Sequence, residues 1–231
     1  MSSSQQSAIG SPRLSDRALA AWEIVVVVAS VLIAEWVVFS LAGDNNQLAL
    51  MFPVVTVFVF MFLSHRLRGE SARDVGFRLD NFWRAVRLLV LPLAVVTALL
   101  FAFGWYFSTL DLTRWRGGTS IFGVAVLSLL WGPLQQYALQ GFINRRAQVV
   151  FGPGWLSIIF VALVFATLHL PNPWLTAATF AVGLLWAYVF QRAPNIIAIG
   201  ISHLVMTWVL ISSVPPAALH NLRVGFKFFG Q

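Results

Sequence analysis

Long apolar runs separated by short polar segments dominate the pattern of the chain. Several of these runs reach the roughly 20 residues that a helix needs to cross a bilayer. The pattern predicts an all-α fold, a polytopic membrane helix bundle with about seven transmembrane helices, near 21–42, 47–64, 85–107, 121–143, 155–170, 174–190 and 196–213. Residues 71–84 mix charged and apolar side chains, which predicts an amphipathic segment at the head groups on the inner side.

The two ends of the chain are more polar than its middle. We predict a disordered N-terminal tail over 1–20, a transmembrane helical domain over 21–213 and a short basic C-terminal tail over 214–231. Seven crossings place the termini on opposite sides, and basic residues concentrate on the cytoplasmic side. With the N-terminus inside, 11 of the 15 Lys and Arg residues lie on the inner side. The sequence therefore predicts an integral, multi-pass membrane protein with a cytoplasmic N-terminus.

The composition limits which binding partners and which kinds of site the protein can have. Hydrophobic residues make up 59% of the chain and charged residues 10%, whereas soluble domains carry about 25% charged residues. The net charge of +7 is spread between apolar runs, so membrane topology explains it better than nucleic-acid binding, and the bilayer is the predicted partner. The absence of cysteine excludes disulfides and thiolate metal sites.

One apolar run carries a stripe of polar residues at helical spacing. Residues four apart share a helix face, and the stripe comprises Ser128, Gly132, Gln136, Gln140 and Asn144, with Gln135 beside it. Polar side chains at membrane depth are costly and usually point toward other helices or a wet cavity. The stripe predicts the wall of an interior site. The alternative is that its amides only hold neighbouring helices together by hydrogen bonds.

Few ionisable residues fall inside the predicted spans. His169 and His203 lie on separate helices, and an imidazole can bind metal, shuttle protons or donate to an oxyanion. Together with the glutamine stripe they predict a shared site, although each could also be a buried histidine satisfied by a neighbour. Glu35 is a lone carboxylate for which the sequence names no partner. His65 lies at a head-group boundary and His220 past the last span, and both are expected to be solvated.

Three short motifs, in order, resemble the CPBP family of intramembrane proteases, which includes CAAX prenyl protease 2-like and bacteriocin-processing proteins. The family pattern Glu-Glu-x-x-x-Arg-Gly aligns with Gln135 to Gly141, Phe-x-x-x-His with Phe165 to His169, and His-x-x-x-Asn with His203 to Thr207. The resemblance covers about 120–208.

The resemblance implies an endopeptidase that cleaves prenylated or membrane-embedded peptides. In that family a glutamate activates water, while histidines and an asparagine stabilise the oxyanion or hold a metal. Carried over residue by residue, the candidate catalytic positions are His169, His203, Gln136, Gln135, Gln140 and Thr207. Phe165 and Glu35 are candidate substrate-binding residues. No metal site is predicted, and a divalent metal between His169 and His203 is an alternative without support in the sequence.

The departures from the family pattern leave the activity open. A glutamine amide cannot act as a general base near neutral pH, and it is a poor metal ligand beside carboxylate. The first hypothesis is a family-type endopeptidase in which a histidine or Glu35 replaces the missing base. The second is a non-proteolytic descendant that binds a lipid, isoprenoid or prenylated peptide, or scaffolds a partner. A third is a different enzyme acting on a lipid or isoprenoid. Transport is a weaker fourth, since the spans lack internal repeats.

Overall fold

The protein is described by a computed structural model that covers residues 12–42, 47–114 and 130–230. In chain order its helices are α1 (Pro12–Ile33, continued by π-helical Ala34–Val38 and by Phe39–Ala42), α2 (Gln47–Leu67), α3 (Ala72–Val75), α4 (Phe82–Tyr106), α5 (130–151, with a π-helical stretch over Tyr137–Asn144), α6 (Trp155–Thr167), α7 (Pro173–Arg192) and α8 (Ile196–Ser213). Two 3-10 turns follow, His220–Leu222 and Gly225–Phe228.

The described residues form helices joined by turns and loops and contain no strand, which confirms the predicted all-α class. Within these described ranges, four helices are long and apolar enough to cross a membrane, at Asp16–Ala42, Phe82–Tyr106, Pro173–Arg192 and Ile196–Ser213. Two shorter apolar helices lie at Met51–Leu67 and Trp155–Thr167. The count of seven spans stays a prediction, and residues 121–129 of the predicted fourth span lie outside the described residues. The predicted cytoplasmic N-terminus is likewise an expectation.

Side-chain caps explain where the last two long helices begin. Asn172 accepts a hydrogen bond from the Leu175 backbone N–H at the start of α7, and proline follows it at the first helical position. Asn195 accepts from the Ala198 N–H in the same way at the start of α8. Asparagine at an N-cap satisfies a backbone donor that the helix leaves unpaired. These caps therefore define the residues at which α7 and α8 begin.

The stretch Leu139–Asn144 of helix α5 is deeply buried in the bundle. Leu139, Phe142 and Ile143 on it are at most 3% exposed. Glycines permit close approach around it: a Cβ on Gly141 would lie 2.8 Å from Ile196, and one on Gly200 of α8 would lie 3.2 Å from Pro133. The other helices keep large apolar side chains exposed, as surfaces that face lipid do, among them Leu41, Phe52, Leu91, Leu99 and Leu163.

The C-terminal segment, predicted as a basic tail, returns to the loop between α6 and α7. The Asn172 side chain donates to the Leu219 and Arg223 carbonyl oxygens at 2.8 and 3.1 Å. The Gly225 N–H donates to the Leu170 carbonyl oxygen at 2.8 Å. The segment is therefore attached to the bundle by main-chain and side-chain hydrogen bonds.

Candidate functional site

The centre of the site is a hydrogen bond between Gln136 on α5 and His203 on α8. Gln136 is fully buried, and its Nε2 lies 2.9 Å from His203 Nδ1. Gly132, one turn earlier, faces the imidazole, since a Cβ there would lie 3.6 Å from His203 Cγ, at ordinary van der Waals distance. The π-helical stretch of α5 begins at the next residue, Tyr137. Such stretches are frequent at functional sites because they re-aim side chains within a helix.

Aromatic side chains enclose the His203 imidazole. The Trp186 ring centroid lies 4.7 Å from that of His203, and the Phe165 centroid lies 6.1 Å away. With the Gln136 amide nitrogen donating, His203 Nδ1 accepts, so a neutral imidazole carries its proton on Nε2. His203 can then offer one N–H donor to a ligand, while Gln136 Oε1, which has no hydrogen-bond partner in the described part of the chain, offers an acceptor.

His169 joins this cluster through Phe165. Its ring centroid lies 4.8 Å from that of Phe165, whose ring also contacts His203. His169 Nδ1 lies 2.7 Å from the Phe165 carbonyl oxygen, which can only accept, so Nδ1 donates and Nε2 keeps a lone pair when the ring is neutral. The two histidines therefore present opposite functions, an acceptor on His169 and a donor on His203.

Gln140 lies on the same stripe but in a different network. Its Oε1 accepts from Asn144 Nδ2 at 2.7 Å, and the Asn144 Oδ1 accepts from Gln148 and Gln191, each at 3.1 Å. Gln191 Nε2 also donates to Ser157 Oγ on α6 at 2.9 Å. This end of the stripe joins α5 to α6 and α7 by hydrogen bonds, which fits the alternative that these amides hold neighbouring helices together. Ser128 lies outside the described residues.

Three other candidates are not brought into hydrogen-bonding contact with the two histidines. Gln135 and Thr207 are half-buried, and neither side chain makes a hydrogen bond within the described part of the chain. Glu35 lies in the π-helical stretch of α1 and packs against the C-terminal segment, where a Cβ on Gly225 would come 2.7 Å from the Glu35 carbonyl oxygen. No hydrogen bond or ion pair between Glu35 and either histidine occurs among the described residues.

A cluster of charged side chains near the far end of α5 was not foreseen. We name it the charged cluster: Glu23, Ser64, His65, Arg68, Glu70, Arg145 and Arg146. Arg146 is 1% exposed and lies 2.8 Å from both the Glu23 and the Glu70 carboxylates. Arg145 lies 2.6 Å from Glu70, and Arg68 lies 2.9 Å from Glu23. The cluster joins α1, α2, the segment before α3 and α5.

The expectation that His65 is solvated is wrong. His65 is 5% exposed, and its Nδ1 lies 2.6 Å from a Glu70 carboxylate oxygen. The chain turns back after α2 and brings Glu70 beside His65. A lone Glu23 within an apolar run and the Arg145-Arg146 pair at the end of another could have indicated the cluster, since buried charges require partners.

The charged cluster keeps Glu70 ionised. Burial alone would raise the pKa of this carboxyl, but hydrogen bonds from His65, Arg146 and Arg145 outweigh burial and hold the pKa well below its ordinary value. Carboxylates that are bound by guanidiniums in this way stabilise the fold. Within 16–42, 51–114 and 130–230, no three His, Asp or Glu side chains converge as metal ligands, so a metal at His169 and His203 would find only two ligands there.

The fold and site define an α-helical membrane protein with a neutral polar centre. Residues 117–209, about two fifths of the chain, match the family model described as "Type II CAAX prenyl endopeptidase Rce1-like". This match confirms the resemblance to the CPBP and CAAX protease family, and the matched part contains Gln136, His169 and His203. Neither a curated protein nor a solved structure matched the chain. The family and the apolar helices together support an integral membrane location.

Proposed function

We propose that this Rce1-like membrane protein binds a prenylated peptide or isoprenoid at Gln136 and His203, without the glutamate-dependent peptide hydrolysis of its family. The observation that carries this proposal is the buried hydrogen bond between Gln136 and His203. The family pattern has a carboxylate at the Gln136 position, and an amide cannot accept the proton of an attacking water near neutral pH.

The pair has one acceptor and one donor to offer a ligand. Gln136 Oε1 is buried and has no hydrogen-bond partner among the described residues, and His203 carries its proton on Nε2. A secondary amide or a hydroxyl supplies the matching donor and acceptor, and satisfying buried polar groups favours binding. The buried rings of Phe165 and Trp186 pack beside His203, so the surroundings of the pair are apolar. This combination of apolar walls and few polar groups is typical of ligand sites.

A second candidate function is hydrolysis with His169 as the general base. The observation in its favour is the His169 hydrogen bond to the Phe165 carbonyl oxygen, which leaves Nε2 as a proton acceptor. His203, with its proton on Nε2, would stabilise an oxyanion. In this mechanism the imidazole replaces the carboxylate of the family pattern.

A farnesylated peptide distinguishes the two candidates. We expect the purified protein to bind the peptide and leave it intact, and Gln136→Leu to weaken binding about 3- to 10-fold, the value of one hydrogen bond. Gln135→Leu is the matched control, since the neighbouring amide is outside the pair, and it should bind like the wild type. Binding is measured by native mass spectrometry and cleavage by chromatography.

The possible results of these experiments distinguish the two candidate functions. Cleavage that His169→Ala abolishes would replace the binding proposal by the second candidate. Equal binding by wild type and Gln136→Leu would refute the role of the pair. If only the base is missing, Gln136→Glu combined with Gln140→Arg should restore some hydrolysis, and an inert double variant would indicate a more deeply altered site.

A further inference from the structure

A second site candidate lies on a different face of α5, away from Gln136 and His203. A groove of about 640 Å³ runs between α2, the segment 70–77 and the first turns of α5. This volume is within the roughly 300–1,000 Å³ of small-molecule sites. Most of its wall is apolar, formed by Phe58, Phe62, Phe77, Leu130, Leu134 and Tyr137. Neither the proposed function nor its test uses any of these residues.

The groove opens toward the surroundings of the bundle. Phe62 is 58% exposed, Phe77 47% and Leu134 38%. In a membrane-spanning bundle Phe62 and Leu134 face hydrocarbon, and Phe77 lies in the segment predicted at the head groups, so the molecules that reach the groove come from the bilayer. Tyr137 closes its inner wall, stacked on Phe58 with ring centroids 5.9 Å apart.

One end of the groove is basic. His65, Arg66 and Glu70 line it, and Arg66 is exposed in the last turn of α2. Glu70 is already bound by Arg145 and Arg146, and Arg68 by Glu23. Arg66 forms no ion pair within the described residues. The charged cluster shares His65 and Glu70 with this end of the groove, and its three arginines together with Arg66 exceed its two glutamates by a net charge of +2.

We propose that this groove binds an anionic phospholipid, with one acyl chain along the aromatic wall and the phosphate at Arg66. An apolar groove that ends at a surplus guanidinium matches an amphiphile with a negative head group. Basic pockets between membrane helices at the cytoplasmic side bind such head groups. The predicted orientation places this end of the bundle on that side. Phosphate also suits the guanidinium, which can donate two parallel hydrogen bonds to it.

Native mass spectrometry of the purified full chain tests this proposal, with dioleoyl phosphatidylglycerol and dioleoyl phosphatidylcholine as probes. We expect one phosphatidylglycerol to bind in preference to phosphatidylcholine. Arg66→Gln should weaken phosphatidylglycerol binding about fivefold and leave phosphatidylcholine binding unchanged. Arg84→Gln removes another exposed basic residue, at the start of α4, and is the matched control for general charge attraction.

A groove-filling variant tests the apolar part separately. Ala72 lines the groove, so Ala72→Phe should weaken binding of both lipids, whereas Ala102→Phe on exposed α4 surface should not. Circular dichroism of each variant checks the fold. Equal binding of the two lipids, or equal effects of Arg66→Gln and Arg84→Gln, would overturn the proposal. So would displacement of the lipid by a farnesylated peptide, which would assign the groove to that peptide.

Discussion

Helix α5 carries two buried polar regions, and their side chains are stabilised in different ways. In its middle, Gln136 pairs with His203 through neutral groups. Near its end, Arg146 is equally buried but carries a full charge between two carboxylates. A buried charge is tolerated only when paired and hydrogen-bonded, whereas a buried amide needs only its hydrogen bonds.

This difference bears on Gln136 and Gln140, which stand where the family pattern has charged residues. A carboxylate at residue 136 would need a cation close to it, and Gln140 stands where the family pattern has arginine. Buried ion pairs of the described residues are instead found at the charged cluster, where three helices and the turn after α2 meet. We infer that the charged cluster stabilises the bundle, while the neutral pair leaves hydrogen-bonding groups available to a ligand.

The largest expected effect comes from breaking the charged cluster. Arg146→Met should lower the free energy of unfolding by about 3–5 kcal/mol, because it leaves two buried carboxylates with fewer partners. Arg84→Met, an exposed control on α4, should change it by less than about 0.5 kcal/mol. Unfolding in mixed detergent micelles measures both values. Similar effects of the two substitutions would show that Arg146 is not a structural anchor.

An intermediate effect is expected at Glu70, and it depends on pH. Because the folded pKa lies below the ordinary 4.5, the stability that Glu70 contributes is fully present above about pH 4.5 and is lost as pH falls toward the folded pKa. Glu70→Gln should cost about 1.5–3 kcal/mol at neutral pH, as for hydrogen bonds to charged groups.

The measurement is the unfolding free energy of wild type and Glu70→Gln from pH 8 to below pH 4. The difference between them should be constant on the neutral side and shrink in acid. A difference that persists unchanged into acid would mean that the carboxylate charge is not what stabilises the cluster.

The smallest effect is expected at the neutral pair. Hydrogen bonds between membrane helices contribute about 0.6 kcal/mol on average and at most about 1.7. A double-mutant cycle with Gln136→Leu and His203→Phe should give a coupling energy in this range. The same cycle with Gln135→Leu in place of Gln136→Leu should give a coupling near zero. A coupling of Gln136 and His203 above 3 kcal/mol would remove the contrast between the two regions.

Much of the fold could be predicted from residue patterns alone. Helix α8 begins and ends where the apolar run predicted, and α7 differs from its predicted bounds by one or two residues. The caps Asn172 and Asn195 are local signals, so the chain itself carries them. The family motifs also lie on the segment that the family model matches.

Which polar groups meet could not be predicted, because a helix pattern specifies a face but not the partner opposite that face. Gln135 and Gln136 look equivalent in sequence, yet only Gln136 points at His203. Glu23 and Arg146 are 123 positions apart and pair only because α1 packs beside α5. The amino-acid sequence thus determined the membrane helices and the supply of polar side chains. The packing of helices decided which of those side chains became a neutral site and which became paired charges, since buried polar groups are stable only where tertiary contacts supply their partners.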